Sequence, residues 1–238
     1  MKRCSRGAFS KLLVLALLAV AIYSAYRVWN IQKDYRAEAD LHSAVMAYKP
    51  REDEIVNQGV IDLQAEYPDV VGWLTVPGTS IDYPFVQARD NDRYLRRDLD
   101  GNYALAGTLF MDFRCAPDFD SRNTIIYGHN MKNGSMFGGL KAIADQDFFE
   151  ANRYGTIFLL YETLTLEFFA YLVIDATDEQ IYSAEPGDGY LVYVRQHARQ
   201  YCDIALTEDD RIITLSTCAY EYDGARMVLL ARMHPGRP

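Results

Sequence analysis

The sequence predicts a mainly β domain: a closed barrel of about eight strands, with an N-terminal helical lead and one helix between the late strands. Three observations predict it. Short runs rich in β-branched and aromatic residues recur from Val71 to Ala231, the composition that suits a pleated, half-buried surface. Turn residues punctuate them, as in Pro77-Gly78-Thr79-Ser80. The segments with helical character are few, and many short strands with few helices fit a barrel that has closed its edges.

Taken in order, Leu12 to Tyr26 is an almost unbroken apolar run with Trp29 just beyond it. Ile31 to Met46 and Arg51 to Tyr67 have helix-forming composition, with Pro50 between them. Val71 to Val76 and Ile81 to Val86 read as a strand pair. Gly107 to Met111 is a strand, residues 113–123 a loop, and Thr124 to Tyr127 a strand that stops at Gly128. Gly128 to Gly139 is a Gly- and Asn-rich loop, followed by a short helix over Leu140 to Asn152. Gly155 to Tyr161 and Leu164 to Ile174 alternate as a hairpin does. Gly187 to Tyr201 has helical periodicity. Arg211 to Thr217 and Met227 to Ala231 close the domain.

The 238 residues divide by charge. Residues 1–29 carry five basic side chains (Lys2, Arg3, Arg6, Lys11, Arg27) and no acid. Of the chain's 24 basic and 33 acidic residues, this leaves 19 basic against 33 acidic, a net charge of −14 for the remainder. A surface this acidic excludes nucleic acid, whose binding rests on cationic contacts to phosphate. The basic start before an apolar run predicts a membrane segment with its N-terminus in the cytoplasm and the rest outside. The run also has the length of a signal peptide, with Ala19-Val20-Ala21 as a cleavage site. A retained single-pass anchor is favoured because the apolar character continues to the interfacial residue Trp29. The expected organisation is a cytoplasmic tip and anchor over residues 1–29, a helical lead packing on the core over 30–70, and the barrel domain over 71–238. Three cysteines (Cys115, Cys202, Cys218) then lie outside, so at least one thiol is left over.

Three residues carry the candidate chemistry. Cys218 ends an apolar strand, a rigid platform from which a side chain can reach a cleft; taken alone it equally fits a buried structural cysteine. His129 also sits at a strand end, before a flexible loop, whereas His42 and His197 fall in expected helices and His234 near the C-terminus. An imidazole beside a thiol activates it as a nucleophile. Arg226 starts the next strand. If Thr217 and Met227 lie on adjacent antiparallel strands, its guanidinium comes alongside the thiol, where it can donate to an oxyanion. No metal-ligand spacing and no phosphate-cradling Gly loop is present, and no metal or cofactor is expected.

Together these residues fall in motifs that resemble the sortases. Leu215-Ser216-Thr217-Cys218 is similar to the Leu-x-Thr-Cys signature. The likeness extends to Asp90-Asn91-Asp92-x-Tyr94-Leu95, to Ala106-Gly107-Thr108-Leu109-Phe110-Met111-Asp112, to Tyr127-Gly128-His129-Asn130-Met131 with Asn133-Gly134-Ser135-Met136-Phe137, and to Arg226-Met227-Val228. Five motifs in order from about Gly72 onward resemble the class B branch. So do the helical lead and the helix between late strands.

The resemblance implies a membrane-anchored, extracellular cysteine transpeptidase of Gram-positive cell surfaces. Cys218 attacks a Thr–Gly bond in the C-terminal sorting signal of a secreted protein, of Asn-Pro-x-Thr-Gly or Ser-Pro-x-Thr-Gly type. His129 moves the proton and Arg226 steadies the oxyanion. The acyl group passes to an amine of a peptidoglycan precursor, or alternatively of a pilin. It also implies substrate contacts from Asn91, Leu95, Thr177, Ile181, Tyr182 and Ser216. The chain departs from the family where an acidic residue often follows the cysteine: Ala219 stands there, and Glu221 comes two residues later. A cysteine peptidase releasing product to water and a non-catalytic wall-associated binding protein are the other readings, and the intact Cys218, His129 and Arg226 argue against the latter.

Overall fold

A computed structural model describes residues 4–51, 54, 56–219 and 222–236. The chain forms two compact units, divided between Ala44 and Val45. The first is essentially helix α1 (Cys4–Val45), unbroken over 42 residues. The expected helix from Ile31 is therefore the second half of a longer one, which is long and apolar enough to cross a membrane. Its large apolar side chains from Phe9 to Ile31 are exposed.

The second unit is the barrel. Strands β1 (Val70–Thr75), β2 (Asp82–Gln87), β3 (Leu109–Met111), β4 (Asn123–Tyr127), β5 (Tyr154–Phe158), β6 (Thr163–Asp175), β7 (Ala198–Tyr201), β8 (Ile212–Cys218) and β9 (Ala225–Pro235) form one sheet in the order β5-β1-β2-β3-β4-β8-β9-β6-β7. A further β5–β6 pairing closes eight of them into a ring and leaves β7 as an addition. β9 runs along one edge of β6 from Leu164 to Asp175. The other edge is shared: β5 pairs with Thr163–Glu167 and β7 with Ala170–Leu172. Trp73, Phe85, Phe158 and Phe168 are fully buried; the register puts Trp73 and Phe158 on one face of the sheet and Phe85 on the other, so both faces carry packed side chains.

Two of the pairings are parallel, β2–β3 and β4–β8. The second matters most for function. Because β4 and β8 run side by side in the same direction, with Tyr127 opposite Ser216, both strands end at the same rim. β9 starts there and β6 finishes there, with Ile174 opposite Arg226.

Helix α2 (Gln58–Glu66) packs Val60 and Leu63 against the barrel near β1. It is shorter than the helix expected from Arg51. Its entry is pinned by Asn57, a fully buried side chain whose amide donates to the carbonyls of Leu159 and Glu162. The helix expected over Leu140 to Asn152 is two pieces: a 3-10 segment from Phe137 to Ala144 and α3 (Gln146–Ala151). Asp145 separates them because its carboxylate accepts from Phe148 N and caps α3. The helix expected over Gly187 to Tyr201 stops at His197 as α4 (Tyr190–His197). The next four residues are β7, drawn into the sheet by the bulged stretch of β6.

Candidate active site

The rim where β4, β6 and β8 end and β9 begins opens into a cleft of about 680 Å³. β8 delivers Cys218 as its last residue, half-buried. Directly across the antiparallel β8–β9 pair, Cys218 has Arg226 as its register partner, and Thr217 has Met227. The expectation from the short connection is met at these positions. Glu221, within that connection, lies outside the described residues.

β4 delivers His129 two residues past its end. Gly128 makes the exit possible: its N–H donates to Ser216 O at 3.1 Å, and a Cβ there would come within 2.4 Å of Leu109 Cδ2 and 2.8 Å of Phe137 Cγ. Asn130, next in sequence, donates through Nδ2 to Cys218 O at 2.6 Å, tying the histidine loop to the cysteine strand. His129, Cys218 and Arg226 all line the same cleft.

The His129 ring is fixed from the other side. Its Nε2 lies 2.7 Å from Leu95 O. A carbonyl oxygen only accepts, so Nε2 carries the proton and Nδ1 is left for proton traffic. Burial pushes the imidazole pKa below its ordinary 6.5; the Leu95 carbonyl pulls the other way and the nearby Arg96 cation adds to the lowering. A neutral imidazole at neutral pH is the form that can accept a proton. The Arg226 Nη1 donates to Ala225 O at 3.0 Å and Gly224 O at 3.3 Å, which orients its guanidinium at the strand start.

Of the expected substrate contacts, Asn91, Leu95, Thr177, Tyr182 and Ser216 line the cleft. Tyr182 OH and Ser216 Oγ are hydrogen-bonded at 2.8 Å, and burial pushes the Tyr182 hydroxyl pKa up to about 12. Ile181 is not in the lining. It is fully buried, and its carbonyl accepts from Asn123 Nδ2 at 3.0 Å. Beyond the expected set, the cleft includes Phe110, Arg114, Tyr127, Asp178 and Glu179. The rings of Phe110, Tyr127 and Tyr182 form a continuous aromatic wall, with centroid spacings of 5.3 and 6.0 Å. The contribution of Phe110 and Tyr127 follows from their register pairing across β3 and β4, which puts both rings on one face. That of Arg114 and Asp178 comes from loops and has no sequence pattern. Cys115, Cys202 and Cys218 are all free thiols. Among the described residues, no group of three or more His, Cys, Asp or Glu side chains is placed to hold a metal ion.

A strand-end cysteine, a histidine just past a strand end and a cross-strand arginine thus share one cleft at the rim of a closed barrel. The sortase-domain family model matches residues 74–234. Sortase B of Listeria monocytogenes is 36% identical over 242 residues, covering 94% of this chain and 96% of the relative. Among solved structures, a mutant form of Clostridium perfringens sortase B superposes with a TM-score of 0.76 at 30% identity, covering 81% of this chain and 96% of that one. A Streptococcus pyogenes class B sortase involved in pilus biogenesis gives 0.68 at 32%, covering 73% and 97%. The chain belongs to the sortase family, in its class B branch, and is a transpeptidase.

Proposed function

We propose that this transpeptidase cleaves a Thr–Gly bond in the C-terminal sorting signal of a secreted surface protein and passes the acyl group to an amine of a cell-wall precursor. The observation that carries the reading is the direct register of Cys218 with Arg226, in the cleft that also holds His129. Cys218 passes its thiol proton to His129 as its Sγ attacks the threonine carbonyl carbon. Arg226 donates to the oxyanion that forms, a point where preorganised donors contribute most. The C–N bond breaks as His129 gives a proton to the leaving glycine amine, leaving a thioester on Cys218. The acceptor amine attacks the thioester, His129 takes its proton, and the thiol is released.

The donor peptide lies along Asn91, Leu95, Thr177, Tyr182 and Ser216, with Ile181 packed behind that wall. Helix α1 anchors the chain in the membrane as a single span, N-terminus inside and barrel outside, in the organisation 1–29, 30–70 and 71–238. The likeness to a class B sortase involved in pilus biogenesis favours one second reading, in which the acceptor is a pilin amine; the chemistry at Cys218 is the same.

The test is to incubate the detergent-solubilised full chain with Asn-Pro-x-Thr-Gly and Ser-Pro-x-Thr-Gly peptides, with and without an amine acceptor. Mass spectrometry should find the thioester on Cys218 and an amine-dependent transfer product. Hydrolysis alone, at a rate indifferent to the amine, would make the chain a peptidase. Absence of any adduct would refute the reading.

A further inference from the structure

Asp112 is fully buried at the end of β3, and five donors converge on its carboxylate. Arg114 supplies three: its N and Nε each lie 2.9 Å from Oδ1, and its Nη2 lies 2.7 Å from Oδ2. Asn91 Nδ2 and Tyr127 OH each donate to Oδ2 at 3.0 Å. Burial alone would raise the Asp112 pKa, but these donors, Arg114 above all, hold it below the usual carboxylate range. Removing a charged group from water costs several kcal/mol, and a buried ion persists where its partners satisfy every lone pair. Here the partners come from different walls of the cleft.

Arg114 extends the network. Its Nη2 also donates to Tyr182 O at 3.1 Å. The Asn91 amide is held at both ends, because its Oδ1 accepts from Phe113 N at 3.1 Å. One ion pair thus ties the Asn91 loop, the end of β4 and the loop after β6 into a single frame. Half of the Arg114 side chain (49%) is exposed, and it lines the cleft. Among the described residues its Nη1 has no partner, so one nitrogen of a guanidinium already locked in place is left to donate to a ligand.

We propose that Arg114 is a substrate-binding residue whose Nη1 edge binds a backbone carbonyl of the acyl-donor peptide, with Asp112 as the positioning residue that aims it and holds Asn91 and Tyr182 at the matching separation. This rests on the donor-peptide reading above. The interaction is made in the ground state as well as in the transition state, so its loss raises KM more than it lowers kcat.

The experiment measures donor-peptide kcat and KM for wild type, Arg114→Ala, Arg114→Lys and Asp112→Asn, alongside the rate at which iodoacetamide alkylates Cys218. Arg114→Ala should raise KM about tenfold or more, the scale of one charge-assisted hydrogen bond, with the alkylation rate within about twofold of wild type. Arg114→Lys should restore little, since one ammonium cannot bridge Asp112, Tyr182 and the peptide together. Asp112→Asn should behave like Arg114→Ala; if it misfolds, the two Arg114 variants still decide. Unchanged KM in Arg114→Ala overturns the inference, as does an alkylation rate that falls in step with kcat/KM. Wild-type protein that forms no adduct with any donor refutes the proposed function and this inference with it; wild-type turnover with an unmoved KM in the variant refutes only the inference.

Discussion

Cys218 and Arg226 are register partners across the β8–β9 pair. Neither reaches the cleft through a long loop: each is carried by a backbone ladder, so their separation is set by sheet geometry rather than by a rotamer search. Arg226→Ala should therefore lower kcat by at least about 100-fold, the usual cost of losing an oxyanion donor, with little change in melting temperature. Arg226→Lys should stay near the alanine level, because an ammonium lacks the planar fork. A lysine variant with most of the wild-type turnover would reduce the role to charge alone.

Cys218→Ala should abolish the thioester and all cleavage while the fold survives, since the side chain sits half-buried at a strand end. The same variant should lose thiol labelling at the cleft. Cys115 will not confuse the assay: it is 3% exposed, and burial pushes its thiol up to about 11. Peptide mapping after alkylation checks this directly. Cleavage retained by the alanine variant would move the nucleophile elsewhere.

The pH dependence follows from His129. Its folded pKa is depressed, chiefly by burial, so its contribution to stability is present above the ordinary value of 6.5 and is lost as pH falls through the folded value. The acid limb of kcat/KM should accordingly lie below pH 6.5. Urea unfolding at pH 7.5 and 5.5 should show a smaller acid-induced loss of stability in His129→Gln than in wild type, and the glutamine variant should turn over almost no donor. Equal acid sensitivity in the two proteins would contradict the depressed pKa.

A glycine remote in sequence from the cysteine governs the same histidine. Gly107 has φ of +61°, and a Cβ there would lie 2.6 Å from Tyr94 O and 2.7 Å from Leu95 O, the carbonyl that holds His129. Gly107→Ala should cost about 1–2 kcal/mol for the left-handed backbone plus the collision, and should cut turnover by displacing Leu95. Gly101→Ala is the control: φ is +81° with nothing within 4 Å of the added carbon. It should show the backbone cost in a denaturation curve and leave donor cleavage unchanged.

All eight ring strands were legible because short β-branched and aromatic runs bounded by turn residues survive in the sequence, and the placing of Cys218, His129 and Arg226 in one cleft was legible because strand ends mark them. β7 was not: Ala198-Arg199-Gln200-Tyr201 has too little apolar alternation to outweigh the helical signal before it, and only the free edge of β6 makes it a strand. Nor was the continuity of α1 through Asn30, where apolar composition gives way to charge without a helix breaker. The cleft was read as far as its motifs reached. Arg114 escaped because an ion pair between residues two apart in a loop leaves no periodic trace, and Ile181 faces the core because Asn123 holds its carbonyl from within.

The last prediction concerns α1. At about 1.5 Å per residue, its 42 residues extend about 63 Å, roughly twice the 30 Å of a hydrocarbon core. The apolar, exposed side chains run from Phe9 to Ile31, with Lys11 near their start and Arg27 near their end, and charged residues follow from Lys33. A span placed on the apolar stretch leaves Lys2, Arg3, Arg6 and Lys11 on one side, which the positive-inside rule assigns to the cytoplasm. Retention suits the proposed transfer to a lipid-linked cell-wall precursor, since confinement to one surface raises the effective concentration of both reactants. Full-length chain should be recovered in the membrane fraction, released by detergent and not by high salt, and protease added to intact cells should remove the barrel. Leu17→Arg with Leu18→Arg places two cations at mid-span, at roughly 2.5–3.5 kcal/mol each on insertion scales, and should shift the protein out of the membrane fraction. An N-terminus beginning at Ile22, or protein found mainly in the medium, would show instead that Ala19-Val20-Ala21 is cut and that α1 serves only to export the enzyme.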